Sequence, residues 1–125
     1  MKFKTVLLVL AIIVGISQTG FTQTNKTLNK ASKVTFIELG SVRCIPCQKM
    51  EIVLDSIRNK YPKDVKVIFY DVWTKAGKPF AKQYDVKSIP TQVFLDAKGK
   101  EYYRHIGFFP EEEVIKILKQ KAVEK

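Results

Sequence analysis

The chain holds two cysteines, three positions apart in Cys44-Ile45-Pro46-Cys47. Thiols at that separation can close a small ring on themselves, so the pair constrains the backbone around it. The run Val34-Thr35-Phe36-Ile37-Glu38-Leu39 precedes it, apolar on both faces except at Glu38, the pattern of a central strand covered on both sides. After it, Met50, Val53, Leu54, Ile57 and Tyr61 recur at helical spacing, with Gln48, Lys49, Glu51, Asp55 and Arg58 on the other face. This predicts a helix from Pro46 to about Lys60, with Pro46 in the first turn, where a missing N–H costs nothing. The cysteines therefore fall at a strand-to-helix turn. Unpartnered N–H groups and the aligned peptide dipoles at a helix start favour an anion, so Cys44 is expected to be the reactive thiolate, helped by Arg43. Cys47, one turn inward, is expected to resolve.

Val65-Lys66-Val67-Ile68-Phe69-Tyr70 reads as the next strand, parallel to the first through a right-handed helical crossover. Ala76-Gly77-Lys78-Pro79 breaks the chain, and Phe80 and Tyr84 suggest a short second helix. Gln92 to Leu95 and Glu101 to Ile106 form a hairpin pattern around Asp96-Ala97-Lys98-Gly99. A last helix is expected from Glu111 to about Val123, with acidic residues first, lysines last, and Val114, Ile117, Leu118 and Ala122 as its buried stripe.

A length of 125 residues allows one domain. Lys2 and Lys4 precede the apolar segment Val6 to Ile16, too short to span a bilayer comfortably and followed by small or polar residues. Residues 1–22 therefore read as a secretory signal, with retention as an N-terminal anchor left open because no clean cleavage site follows. Residues 23–32 read as a linker and 33–125 as the folded domain, located outside the cytoplasm, periplasmic or secreted. The net charge of +10 comes from lysines and arginines scattered among acidic residues. With no long basic run or recognition motif, nucleic acid is not an expected partner.

The Cys-x-Pro-Cys at a strand-to-helix turn, the Ile89-Pro90 that opens the hairpin and the Gly107 that follows it together resemble the thioredoxin family. The resemblance covers roughly residues 33 to 123. It implies an α/β fold, a four-stranded mixed sheet flanked by helices in the order β-α-β-α-β-β-α, trimmed of the family's N-terminal strand and helix. It also implies a Cys44–Cys47 redox disulfide and a cis peptide at Ile89-Pro90 packed against the cysteines. The backbone of Ile89 would pair with an extended substrate segment, and Ile89, Pro90, Arg43 and Pro46 form the expected substrate-binding set. The sequence departs from the family in carrying Arg43 where a tryptophan is usual, Ile45 inside the motif, Glu38 for the buried aspartate, and Phe69 where a lysine often neighbours that carboxylate.

The expected activity is thiol–disulfide exchange in the direction of reducing protein disulfides, with protein thiols and disulfides as partners, a monomeric state and no cofactor. Outside the cytoplasm a reductase needs a membrane electron donor. A thiol oxidase or isomerase is the nearest alternative. A purely structural disulfide is disfavoured because so short a loop restricts the unfolded chain little. No metal is expected: Cys44, Cys47 and the single His105 cannot close a zinc site. A copper(I) carrier using both thiolates and Met50 is chemically open, although a cis Pro90 would crowd it. Glu38, inside a strand, is expected to have a raised pKa and to exchange a proton with Cys47, the alternative being a carboxylate that reaches water or a lysine at the sheet edge. His105 reads as a strand surface residue, and Trp73, Phe108 and Phe109 as packing or an apolar rim.

Overall fold

Alternation and helical spacing resolve into seven elements in the computed structural model, which describes residues 31–121 and Val123. They are β1 (Val34–Gly40), α1 (Ile45–Lys60), β2 (Val65–Asp71), α2 (Lys78–Gln83), β3 (Thr91–Asp96), β4 (Glu101–Ile106) and α3 (Glu111–Lys119). The expected signal and most of the linker, residues 1–30, lie outside the described residues, as does Ala122. Among the described residues no helix is long and apolar enough to cross a membrane.

The strands form one four-stranded mixed sheet in the order β2-β1-β3-β4. β1 pairs parallel with β2 and antiparallel with β3, and β3 pairs antiparallel with β4. This interior position explains why β1 is apolar on both faces. Val34 and Phe36 turn to one face, where they pack with Met50, Leu54 and Ile57 of α1 and Val114 and Leu118 of α3. Ile37 and Leu39 turn to the other, with Phe80 and Ala81 of α2 and Tyr84 just beyond it. Glu38 therefore points to the α1 and α3 side with Phe36.

The hairpin turn is held by Asp96, whose Oδ1 accepts from the N–H groups of Lys98 and Lys100 at 2.9 and 3.0 Å. Gly77 ends the loop after β2 for a steric reason, since a Cβ there would stand 1.8 Å from the Asp71 carbonyl oxygen. The last helix is shorter than its apolar stripe predicts, ending at Lys119 instead of Val123. The N–H groups of Gln120 and Lys121 bond back three residues, to Ile117 and Leu118, and this tighter turn closes the helix. Val123 is buried in the core all the same, at 2% exposure.

Phe94 is the hub of the α1 and α3 core. Its ring stacks on Phe36 at 4.6 Å and meets Tyr103 and Phe109 edge-on at 5.8 and 6.3 Å. Replacing Phe94 by Ala should lower the unfolding free energy by roughly 3–5 kcal/mol in urea titration. A loss under about 1 kcal/mol would mean the core closes around the gap and the ring is not central to it.

Candidate active site

Helix α1 begins at a sulfur. Cys44 is its N-cap residue, with extended backbone angles, and it has no side-chain cap hydrogen bond. Its carbonyl accepts the first helical N–H, from Gln48, at 3.0 Å. A cap side chain ordinarily accepts from the second or third helical N–H. Pro46 occupies the second position and has none, which leaves the N–H of Cys47. No acidic residue lies in the first turn to compete for the positive end of the helix. Cys44 and Cys47 are joined as a disulfide, with Cα atoms 5.2 Å apart. They are 8% and 3% exposed respectively, while Ile45 and Pro46 between them face solvent.

The loop into the helix is held from several sides. Asp71, at the end of β2, accepts from the N–H of Val42 at 3.2 Å and from that of Trp73 at 3.1 Å. Gln48 donates to the Val42 carbonyl at 2.8 Å, and the Cys44 N–H reaches the Ser41 carbonyl at 3.1 Å. Desolvation works to raise the Asp71 pKa, but hydrogen bonds from Val42, Trp73 and Ser41 and the charge of Arg43 outweigh it and hold the carboxylate below its ordinary range. The Arg43 guanidinium lies 5.7 Å from the centre of the Trp73 ring, a cation–π contact. Arg43 is thus engaged with an aromatic ring from the next loop.

The Ile89–Pro90 peptide bond is cis. Pro90 is buried, Ile89 is half-buried, and the Pro90 carbonyl accepts from the Gly107 N–H at 2.8 Å. Phe109 is buried, whereas Trp73 and Phe108 are largely exposed. His105 is half-buried, stacked on Phe109 at 4.1 Å with Nε2 3.2 Å from the Phe108 carbonyl. The Met50 sulfur is fully buried and accepts the Phe109 N–H at 3.2 Å, so it serves the core rather than a three-sulfur copper site. Among the described residues no three His, Cys, Asp or Glu side chains are grouped to hold a metal.

Beneath the disulfide lies Glu38, with 0% exposure, facing Phe69 across β2 and Gln92 across β3. A carboxylate at a sheet edge reaching water or a lysine does not describe this site. Gln92 Nε2 donates to Glu38 Oε2 at 2.9 Å. Burial pushes the Glu38 pKa up to about 8, the Gln92 hydrogen bond pulls it part of the way back, and the negative charge of Glu51 raises it further. Gly40 brings the acid and the inner cysteine together, since a Cβ there would meet Cys47 Sγ at 3.1 Å and Glu38 Oε1 at 3.2 Å. A cleft of about 390 Å³, lined by Ser41, Val42, Cys47, Gln48, Glu51 and Phe69, reaches Cys47 from the same side.

A family model for the thioredoxin-like domain matches residues 21–122. The chain belongs to the thioredoxin-like domain family. It is 28% identical over 99 residues to an H-type thioredoxin of Brassica campestris, covering 78% of this chain and 76% of the relative. It is 30% identical over 79 residues to a thioredoxin of the H series from Arabidopsis thaliana, covering 63% of this chain and 49% of that one. The chain thus spans about half the length of that relative, and 55% of the length of the chloroplastic thioredoxin Y of rice. A mutant thioredoxin from Halobacterium salinarum superposes with a TM-score of 0.65 at 22% identity, covering 75% of this chain and 78% of the other. Chloroplastic thioredoxin z does so with a TM-score of 0.65 at 21% identity, covering 76% and 82%. The four-stranded mixed sheet with its three helices is therefore the thioredoxin-like fold.

Asp71, Gln92 and the Arg43–Trp73 contact were not singled out by the sequence. Asp71 and Gln92 matter through partners 29 and 54 positions away, and only the strand register brings these together.

The Glu38 carboxyl also fixes a pH dependence. Unfolded, it ionises near its ordinary value of 4.5; folded, it holds its proton to about pH 8. Across that window the folded state binds one more proton than the unfolded, so stability falls as pH rises, by about 1.4 kcal/mol per pH unit. The total is on the order of 5 kcal/mol, present in full below the lower limit and lost by the upper. Urea unfolding of the oxidised protein should show this decline for wild type and a markedly flatter profile for Glu38→Gln. Parallel profiles would mean Glu38 is not held neutral.

Proposed function

We propose that the protein is an exported thiol–disulfide oxidoreductase that reduces protein disulfides by dithiol–disulfide exchange. The observation that carries this reading is the disulfide between the cap residue of α1 and its first turn, with a buried acid beside the inner sulfur. In the reduced protein the Cys44 thiolate attacks a substrate disulfide, and one substrate thiolate leaves as a mixed disulfide forms. Glu38 takes the Cys47 proton, and the Cys47 thiolate attacks the Cys44 sulfur, re-forming the ring and releasing the second substrate thiol. Two electrons pass to the substrate, and the protein becomes the disulfide.

Several features favour a protein substrate. Val42 and Ile45, beside the cysteines, are 64% and 70% exposed, and Trp73 under the Arg43 guanidinium continues an apolar rim suited to a peptide segment. Ile89 and Pro90 supply the backbone against which that segment would lie, and Pro46 helps shape the turn between the sulfurs. Export rests on Lys2, Lys4 and the apolar segment Val6 to Ile16. In an oxidising compartment the reduced state then depends on a membrane donor of electrons.

With dithiothreitol as electron source, the protein should accelerate reduction of insulin, and Cys44→Ser should fall to the uncatalysed rate. Cys47→Ser should accumulate mixed disulfides that dithiothreitol releases. Equilibration with glutathione should give a potential of about −270 mV for a reductase, whereas about −120 mV would make it an oxidase. Failure of Cys47→Ser to trap any disulfide partner would contradict the exchange mechanism itself.

A further inference from the structure

We propose that Gln92 is a positioning residue for the proton step, its side-chain amide directing the Glu38 proton to the oxygen on the Cys47 side. This rests on the exchange reading above. Register aligns Phe69 of β2, Glu38 of β1, Gln92 of β3 and His105 of β4 in one row across the sheet face beneath α1. Gln92 and Glu38 are both fully buried, and their one mutual hydrogen bond runs from Nε2 to Oε2.

The other carboxyl oxygen, Oε1, has no hydrogen-bond partner among the described residues. It borders the space that Gly40 leaves open, and Cys47 Sγ borders that space too. An oxygen that accepts from an amide N–H cannot also present a proton toward it. With the Gln92 amide oriented this way, the neutral acid carries its proton on Oε1, toward the sulfur. Ionised, the same geometry leaves the lone pairs of Oε1 facing the thiol.

The titratable and charged groups around the pair are few. Glu51 comes from α1 and is bonded to Arg58 at 2.8 Å. His105 comes from β4, with Nε2 at the Phe108 carbonyl. β2 contributes Phe69 opposite Glu38, which carries no charge.

Cys47 S–H gives its proton to Glu38 Oε1 as the Cys47 sulfur bonds to Cys44 and the Cys44–substrate S–S bond breaks. The released substrate thiolate takes a proton from water, and Glu38 later returns its own to solvent. When the enzyme disulfide is reduced, by a thiolate attacking Cys44, the neutral Glu38 delivers its proton to the departing Cys47 thiolate. Without the Gln92 amide, the acid loses a donor to its charged form and its ionisation moves up, leaving less base to receive the Cys47 proton near neutral pH.

The test uses the reduced full chain with dithiobis(nitrobenzoate), whose two product thiolates are counted by absorbance in stopped flow. The first release belongs to Cys44 and the second to Cys47. In Gln92→Met, which keeps the length of the side chain without its amide, the midpoint of the second-release pH profile should rise by about one pH unit. Near neutral pH the second release should slow by up to about tenfold relative to the first. Adding Gln92→Met to Glu38→Gln should change nothing further. Infrared titration of the Glu38 carboxyl in the oxidised protein should show the same upward shift, independently of turnover. An unchanged second-release profile, equal slowing of both releases, or an undiminished Gln92→Met effect in the Glu38→Gln background would overturn the proposal. A wild type without a second release would remove the exchange reading and this proposal together. Normal wild-type release with an unaffected variant removes only this one.

Discussion

The N-terminus of α1 has a sulfur where most helices place an oxygen. Free N–H groups at a helix start attract an acceptor, and a helix capped by serine or aspartate has that demand met permanently. Here the cap residue is Cys44, no acidic side chain lies in the first turn, and Pro46 removes one donor. The local field is therefore directed at a group whose charge changes with its redox state. As a disulfide the sulfur makes little use of it; as a thiolate it gains the interaction. Much of the surrounding structure keeps this junction in place: the interior position of β1, the Asp71 carboxylate bridging two loops, and the Gln48 side chain bonded back to the Val42 carbonyl.

The second constraint is an acid the fold keeps neutral. Glu38 sits on an interior strand, under a helix and opposite a phenylalanine. Its burial costs stability wherever the unfolded chain would ionise it, and the fold accepts that cost between weakly acidic and weakly alkaline pH. Under the proposed exchange chemistry such a group is a proton carrier whose affinity is close to that of an ordinary thiol, the condition under which transfer in either direction is easiest. A disulfide exchanger must run both half-reactions, and under that proposal a carboxyl tuned this way would serve both. Gly40 completes the arrangement, since any side chain there would stand between the acid and the sulfur.

Features carried by local chemistry were legible in the sequence. The pattern of Val34 to Leu39, apolar on both faces except at Glu38, marked a covered strand and made Glu38 conspicuous within it. The spacing of Met50, Val53, Leu54 and Ile57 marked α1, and Gly99 marked the hairpin. What escaped depends on register or on chain reversal. Gln92 looks like one polar residue in a strand until β3 is set against β1, where it becomes the hydrogen-bond donor to a buried acid. Asp71 ends β2 without a motif; its bond from the Trp73 N–H is local, but its bond from the Val42 N–H exists only because the loops before α1 and after β2 meet. The apolar stripe of α3 runs past the end of the helix because Val123 stays buried after the hydrogen bonding has changed.

Reactivity at this site turns on the difference between two sulfurs that the sequence makes near-neighbours. Its most direct test is the rate of iodoacetamide labelling of each cysteine in the reduced protein, read by mass spectrometry across a pH series. Cys44 should label with a midpoint well below the value of about 8.5 for a free thiol, and Cys47 should lag it by at least about tenfold near neutral pH. Equal rates, or faster labelling of Cys47, would contradict the assignment of the helix terminus as the source of reactivity.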